Sequence, residues 1–318
     1  MLNRTHVYPE NVTLIEVGPR DGFQFESQII PTSIKVDIIG GLVTAGIKHI
    51  QVTSFVHPER VPQMADAEAL LQALPVWEGV TVSGLVLNHR GLERAQHAGL
   101  KHVEISISAS DTHSRKNTGM SADDAVSIAQ QMVNFAKKNG MKVRAGVQCA
   151  FGCVYEGEIE WKRVMQMALN FVEQGVDALS FSDTTGMATP GSIQRLFAAV
   201  LPAVGEIPII AHLHDTRGLG LVNLLAALEC GITRFDTAFA GMGGCPFVPG
   251  AAGNIATEDA VYLLHSLDID TGVDIRKVAE CSLGVEKFFG KRFAGKMYRL
   301  AAPETNMAKL PGRRSGDL

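Results

Sequence analysis

Eight short runs rich in β-branched and apolar residues recur along the chain, at about residues 12–17, 49–55, 81–87, 102–108, 142–150, 178–183, 208–214 and 234–240. Longer segments with helical patterning follow them, near 33–45, 61–73, 90–98, 122–139, 160–173, 190–200, 219–230 and 257–266. Gly46, Gly99, Gly140, Gly175 and Gly231 stand where helix C-caps are expected, because glycine takes the left-handed backbone conformation without steric cost. Strands regularly followed by helices pair in parallel. Eight such units in 318 residues argue for a closed (β/α)8 TIM barrel, an α/β fold. An open doubly wound sheet is the alternative, and the lack of a GxGxxG or Walker A turn weakens its nucleotide-binding versions. The barrel is placed over residues 1–273. Residues 274–318 read as additional C-terminal helix of the same domain, ending in a mobile polar tail, PGRRSGDL.

With 46% hydrophobic and 19% charged residues and a mean hydropathy of +0.11, the chain has material for one large core. A net charge of −4 and a pI near 6.2, with no basic block interleaved with aromatics, argue against a nucleic-acid partner. The five cysteines, Cys149, Cys153, Cys230, Cys245 and Cys281, are odd in number and scattered, which fits a reducing, cytoplasmic setting rather than a disulfide framework. Cys149 and Cys153 have no second matching pair, so a zinc knuckle is not expected. The first residues contain no apolar h-region and no 18-residue apolar span occurs anywhere, so neither export nor membrane insertion is expected. The Asn-x-Thr sequons at Asn3 and Asn11 are then chance matches.

The seventh run, IIAHLHDTRG, ends in His212 and His214, followed at once by Asp215. Residues i and i+2 of a strand project to one face, so the two imidazoles form either a pincer for a divalent cation or a hydrogen-bonded core pair. In such a barrel the reactive groups come from the carboxyl ends of strands, and polar residues gather there. EVGPRDG places Arg20 and Asp21 at the mouth; QVTSFVHPERVPQ places Gln51 and Thr53 on one face of strand two and Ser54 on the other. The remaining ends read SISASDTHSRKN, QCAFGC, SFSDTTG, HLHDTRG and AGMGGCPFVPGAAGNIATED.

GPRDGFQFE, SFVHPERVPQMAD, HLHDTRG and GGCPFVPGAAGNIATED, in that order over residues 16–272, closely resemble the signature segments of the 3-hydroxy-3-methylglutaryl-CoA lyase family. The resemblance implies a (β/α)8 fold, one divalent metal (Mg²⁺ or Mn²⁺, with Zn²⁺ as a further option) and carbon–carbon cleavage of a 3-hydroxyacyl-CoA to acetyl-CoA and a keto acid. It assigns Asp21, His212, His214 and Asn254 to the metal. It makes Arg20 the stabiliser of enolate charge, His212 or Asp21 the base, and Cys245, in a glycine-rich loop, a partner in proton transfer at the acetyl carbon. Glu258, at i+4 from Asn254, matches an acidic position near the site, or else serves the helix dipole. Asp183, Asn117 and Gln24 are read as site support. Lys116 and Arg115 are read either as contacts for CoA phosphates or as a solvated basic pair. A homodimer is the quaternary state that the resemblance implies.

Three positions depart from the family pattern. Gln51 stands for a glutamate on strand two, Phe25 for an asparagine and Arg217 for a tyrosine. Gln51 is expected to remove an ion pair that would hold Arg20; Phe25 and Arg217 are expected to reshape the acyl pocket, with Arg217 free to meet a substrate carboxylate. The substrate is therefore either hydroxymethylglutaryl-CoA or a related thioester such as citramalyl-CoA or a longer branched 3-hydroxyglutaryl-CoA. A Claisen-type synthase and a non-catalytic CoA- or metal-binding barrel are the readings outside this one.

Overall fold

The computed structural model describes residues 8–244, 248 and 252–301. Strands β1 (Thr13–Glu16), β2 (His49–Ser54), β3 (Thr81–Val86), β4 (His102–Ser108), β5 (Lys142–Gln148), β6 (Ala178–Ser182), β7 (Ile209–His212) and β8 (Arg234–Thr237) close in sequence order, β8 pairing back onto β1. Every pairing is parallel, as strand–helix alternation requires. Around them lie α1 (Thr32–Thr44), α2 (Ala67–Ala73), α3 (His89–His97), α4 (Asp111–Thr118), α5 (Ala122–Lys138), α6 (Trp161–Glu173), α7 (Pro190–Val204), α8 (Gly220–Glu229), α9 (Thr257–Ser266), α10 (Ile275–Phe289) and α11 (Met297–Leu300).

The main apolar core fills the space between strands and helices. The barrel interior is different. Ile15, Val17 and Ile210 form a small separate apolar cluster, and the rest of the middle layer is polar: Gln51, Glu104, Ser180 and Asp236 are each 5% exposed or less. Barrels of this type are commonly filled by branched apolar side chains; here polar side chains take part of that place.

Several local outcomes differ from the sequence expectation. The helix expected over 61–73 divides into a 3₁₀ turn, Pro62–Met64, and α2. Helix α4 was not anticipated, because DTHSRKNT has no apolar stripe; it is held between the Ser110 side chain, which accepts from His113 N–H, and Gly119 in the left-handed region at φ 80°. Strand β8 stops at Thr237 and gives way to a 3₁₀ turn, Phe239–Gly241. Pairing between β2 and β3 shifts register between Gln51 and Thr53, which breaks the simple alternation expected there: the Thr53 hydroxyl turns to Met64 Sδ at 3.7 Å. Helix α10 starts on an Asp274 side chain that accepts from Arg276 and Lys277 N–H. It packs on α1 closely enough that a Cβ at Gly41 would lie 2.6 Å from Cys281 Sγ. The tail from residue 302 onward lies outside the described residues. Among the described residues the four cysteines are free, and no helix is long and apolar enough to cross a membrane.

Candidate active site at the carboxyl end of the barrel

Strand β1 runs straight into a π-helical turn, Gly18–Gly22, that carries Arg20 and Asp21. The buried Glu16 carboxyl organises this turn, accepting from Gly18 N–H at 2.7 Å and Phe239 N–H at 3.1 Å. Only glycine fits at position 18, since a Cβ would lie 2.6 Å from the Phe239 ring. The turn is thereby pressed against the β8 loop, and Arg20 and Asp21 are left 7% and 6% exposed.

Asp21, His212 and His214 present ligand atoms that all lie within 4.8 Å of one another. The Asp236 carboxylate lies 2.9 Å from His212 Nδ1, which fixes that nitrogen as the N–H and turns the lone pair of Nε2 inward. Nε2 of His212 is 3.1 Å from Nε2 of His214 and 3.9 Å from Asp21 Oδ2. His214 lies beyond the end of β7, in an isolated bridge to Asn254. That bridge sets Asn254 Nδ2 to donate to Asp21 Oδ2 at 2.8 Å and to Met242 O at 3.0 Å. Asn254 Oδ1 and His214 Nδ1 are buried without a partner. A buried acceptor left unpaired costs about 1–3 kcal/mol, and two imidazole nitrogens about 3 Å apart match neighbouring ligands at about 2.1 Å from one ion. The residues present therefore fit a divalent cation.

The electrostatics agree. Burial pushes the Asp21 carboxyl up, but Arg20 and the two imidazoles outweigh it and hold the group below the usual carboxylate range. Burial, reinforced by His212, pushes His214 down to about 3, so its ring stays neutral and able to bind a metal.

Above this cluster opens a cavity of about 440 Å³ lined by Arg20, Asp21, Gln24, Phe25, Asn117, His212 and His214 among others. Gln24 Nε2 also donates to Asp21 Oδ1 at 3.3 Å, and a Cβ at Gly244 would touch the Phe25 ring at 3.6 Å. His113, whose imidazole burial pushes down to about 4, lines the cavity too and was missed in the sequence; the SRKN segment pointed to α4 without marking it.

Other expected residues lie elsewhere. Lys116 is exposed, with Nζ 4.9 Å from the centre of the Tyr155 ring, and Arg115 pairs with Asp111 at 2.7 Å. Asp183 caps its own loop, accepting from Ala188 N–H at 2.9 Å, and burial pushes it up to about 7. Arg217 is exposed, and its Nη1 donates to the carbonyls of Thr185 at 2.9 Å and Gly186 at 2.6 Å; it braces the β6–α7 loop and is not among the residues that line the cavity. Glu258 does not share a face with Asn254. Helical spacing begins only at Thr257, and the Glu258 carboxyl turns away to Ala240 N–H at 3.1 Å and to the Ser282 hydroxyl. Burial pushes it up to about 7. Cys245 lies outside the described residues.

Gln51 does not leave Arg20 unheld, contrary to expectation. Its Oε1 accepts from Arg20 Nε, while Arg20 Nη1 donates to Asp21 Oδ1. From Gln51 the polar layer continues around the barrel. Gln51 Nε2 donates to Glu104 Oε2 at 2.6 Å, Arg144 Nε stands 3.4 Å from the same oxygen, and Arg144 Nη1 donates to Asp236 Oδ1 at 2.8 Å. Although burial opposes its charge, Asp236 and Glu104 raise the Arg144 pKa, and Arg144 and His212 in turn lower that of Asp236 despite burial. Glu104, Arg144 and Asp236 were not read as site residues, although an ionisable group in mid-strand was the signal.

A closed parallel barrel with a carboxylate and two imidazoles converging beside a buried guanidinium defines the class of metal-site (β/α)8 barrels whose chemistry sits at the carboxyl face. Residues 11–285 match the HMGL-like family, and the chain belongs to it. It is 40% identical over 284 residues, 89% of this chain and 95% of the other, to a hydroxymethylglutaryl-CoA lyase of Bacillus subtilis. It is 38% identical to the mitochondrial hydroxymethylglutaryl-CoA lyase of Bos taurus, over 91% of this chain and 89% of the other. An HMG-CoA lyase from Acinetobacter baumannii, solved with coenzyme A and 3-methylmalate, superposes with a TM-score of 0.89 over 97% of this chain and 100% of that one, at 32% identity.

Proposed function

We propose that this chain is a divalent-metal-dependent carbon–carbon lyase that cleaves 3-hydroxy-3-methylglutaryl-CoA to acetyl-CoA and acetoacetate. The convergence of Asp21, His212, His214 and Arg20 at the floor of one cavity carries this reading. Asp21, His212, His214 and the Asn254 carbonyl would hold the cation, a mixed nitrogen and oxygen set suited to Mg²⁺ or Mn²⁺, with Zn²⁺ also compatible. When bound, the cation supplies Lewis-acid polarisation of substrate oxygens.

The chain's own residues do the rest. Asp21 takes the proton of the C3 hydroxyl, because His212, with Nδ1–H held by Asp236 and its Nε2 lone pair turned to the cation, has no lone pair left to accept one. The C2–C3 bond then breaks: the hydroxyl oxygen becomes the ketone of acetoacetate and the bonding pair moves to C2, as the enolate of acetyl-CoA. Arg20 spends Nε on Gln51 and Nη1 on Asp21, which leaves Nη2 to face the thioester oxygen where charge develops. Cys245 is assigned the return of a proton to C2. Gln24, Phe25 and Asn117 at the cavity wall are assigned to the acyl and pantetheine portions, and Lys116 to CoA phosphate.

We assign the segment from Asp274 onward to the same domain, since α10 is tied to α1 through Asp274 N–H on Ala45 O at 2.7 Å. A cytoplasmic homodimer is the proposed state, and light scattering tests the dimer. Release of CoA from a panel of 3-hydroxyacyl-CoAs, with and without Mg²⁺ or Mn²⁺, tests the activity: metal-dependent release from hydroxymethylglutaryl-CoA supports the reading. Release only from citramalyl-CoA or a longer branched 3-hydroxyglutaryl-CoA moves the substrate within the class, and no release from any thioester overturns it.

A further inference from the structure

We propose that Glu104 is a positioning residue for Arg20, acting through Gln51, and that the two side chains work as one exchangeable carboxylate–amide unit. The inference rests on the lyase reading and deepens it.

Arg20 needs a fixed orientation if one of its nitrogens is to meet developing charge, and its near-complete burial leaves water little part in supplying it. The structure gives it two anchors, Asp21 on Nη1 and Gln51 on Nε. Asp21 is already committed to the cation cluster. Gln51 is neutral, but an amide has an acceptor at one end and donors at the other. Between a guanidinium and a carboxylate only one orientation satisfies both ends: Oε1 toward Arg20, Nε2 toward Glu104. Glu104 thereby fixes the amide, and the amide fixes Arg20.

The Glu104 site is built for a carboxylate. Ser106 Oγ donates to Glu104 Oε1 at 2.9 Å, Gln51 Nε2 donates to Oε2 at 2.6 Å, and Arg144 Nε is 3.4 Å from Oε2. On the neighbouring strand β5, in register with Ser106, Gly146 leaves room for it: a Cβ there would lie 3.0 Å from Glu104 Oε1 and 2.3 Å from Ser106 Oγ. The sequence resemblance places a glutamate at position 51, and here the buried negative charge stands instead on β4.

The consequence for substitution is specific. Gln51→Glu alone replaces the donor 2.6 Å from Glu104 Oε2 with an oxygen, so two carboxylates meet and one must take a proton or move away. Gln51→Glu combined with Glu104→Gln restores one carboxylate and one amide. The new glutamate would accept from Arg20, and the new glutamine would donate to it from the Oε2 position while its carbonyl accepts from Ser106 Oγ at the other.

The test is a double-mutant cycle on kcat and KM for hydroxymethylglutaryl-CoA. Glu104→Gln and Gln51→Glu should each lower kcat by about 10-fold or more with KM within about twofold, and the double exchange should recover at least about 10-fold over the worse single variant. Losses that add in the double variant, or a Glu104→Gln enzyme with unchanged kcat, overturn the pairing. A readout independent of turnover is the protected Arg20 Nε–H resonance in ¹⁵N spectra, assigned by its loss in Arg20→Lys. It should shift in each single variant and return in the double. A wild type that shows this pattern but releases no CoA sinks the lyase reading alone, whereas an active wild type whose Arg20 resonance ignores Glu104 sinks this inference alone.

Discussion

The Nε2 atoms of His212 and His214 lie 3.1 Å apart, a separation at which both rings cannot point a proton at the other. Asp236 settles His212 by accepting from its Nδ1–H at 2.9 Å, and burial keeps His214 neutral. His214→Ala should therefore abolish binding of Mn²⁺ and CoA release while the circular dichroism of the barrel is retained. Asp236→Asn, which leaves the ligands in place but loosens His212, should weaken Mn²⁺ by about 10- to 100-fold. Electron paramagnetic resonance titration reads both, and unchanged Mn²⁺ affinity in His214→Ala sinks the metal assignment.

Arg20 is assigned to enolate charge and not to CoA. Arg20→Gln should then lower kcat by about 10² to 10³ while KM changes little. Steady-state kinetics decide: a normal kcat with only a raised KM would transfer Arg20 to substrate binding.

Two of the departures from the family pattern should behave oppositely. Phe25 lines the cavity, so Phe25→Asn should shift relative kcat/KM between hydroxymethylglutaryl-CoA and longer branched analogues, by about 10-fold or more. Arg217 is spent on the Thr185 and Gly186 carbonyls, so Arg217→Tyr should leave that ratio within about threefold and instead lower thermal stability. A selectivity change in Arg217→Tyr equal to that in Phe25→Asn would contradict the structure.

Glu16 provides a pH dependence that activity does not report. Burial pushes its carboxyl up to about 8, against hydrogen bonds from Thr257, Gly18 and Phe239, from an ordinary value of 4.5. Between those values the unfolded chain gives up the proton that the folded chain keeps, so this group makes stability fall as pH rises, and below about pH 4.5 the difference vanishes. Thr257 Oγ1 lies 2.7 Å from Glu16 Oε2 and 2.8 Å from Thr237 Oγ1. Thr257 donates to the ionised carboxylate; beside the protonated acid its hydroxyl turns its single proton to Thr237 and accepts instead, and a glutamine N–H can replace the acid as that donor. Glu16→Gln should flatten the decline of unfolding free energy between about pH 5 and 8, by on the order of 1 kcal/mol per pH unit. Denaturant titrations that run parallel for the two proteins would refute this.

The eight strands were legible in the sequence because each is a short apolar run punctuated by a helix, and the metal cluster was legible because motif and strand end coincide at Asp21, His212 and His214. The polar layer was not. Glu104 in HVEISIS and Arg144 in KVRAGVQ look like solvent-facing positions until closure of the sheet brings β2, β4, β5 and β8 around one axis. Glu258 was misplaced because helical spacing was extended back to Asn254 across a segment that is bridged, not coiled. Helix α4 is defined by its caps alone, a signal carried by two residues rather than by a period.

The segment that carries Asn254 is tied to β7 and β8 by the main chain: Asp215 N–H donates to Gly253 O at 2.9 Å, Ile255 N–H to Leu213 O at 3.1 Å and Ala238 N–H to Ile255 O at 3.1 Å. On the other side of residues 245–251, Met242 O receives the Asn254 amide. The main chain around Asn254 is thus fixed by bonds to the ends of two strands, and the same strand end that places His212 and His214 places this ligand as well. A substitution at Cys245 is therefore expected to change turnover without changing metal affinity.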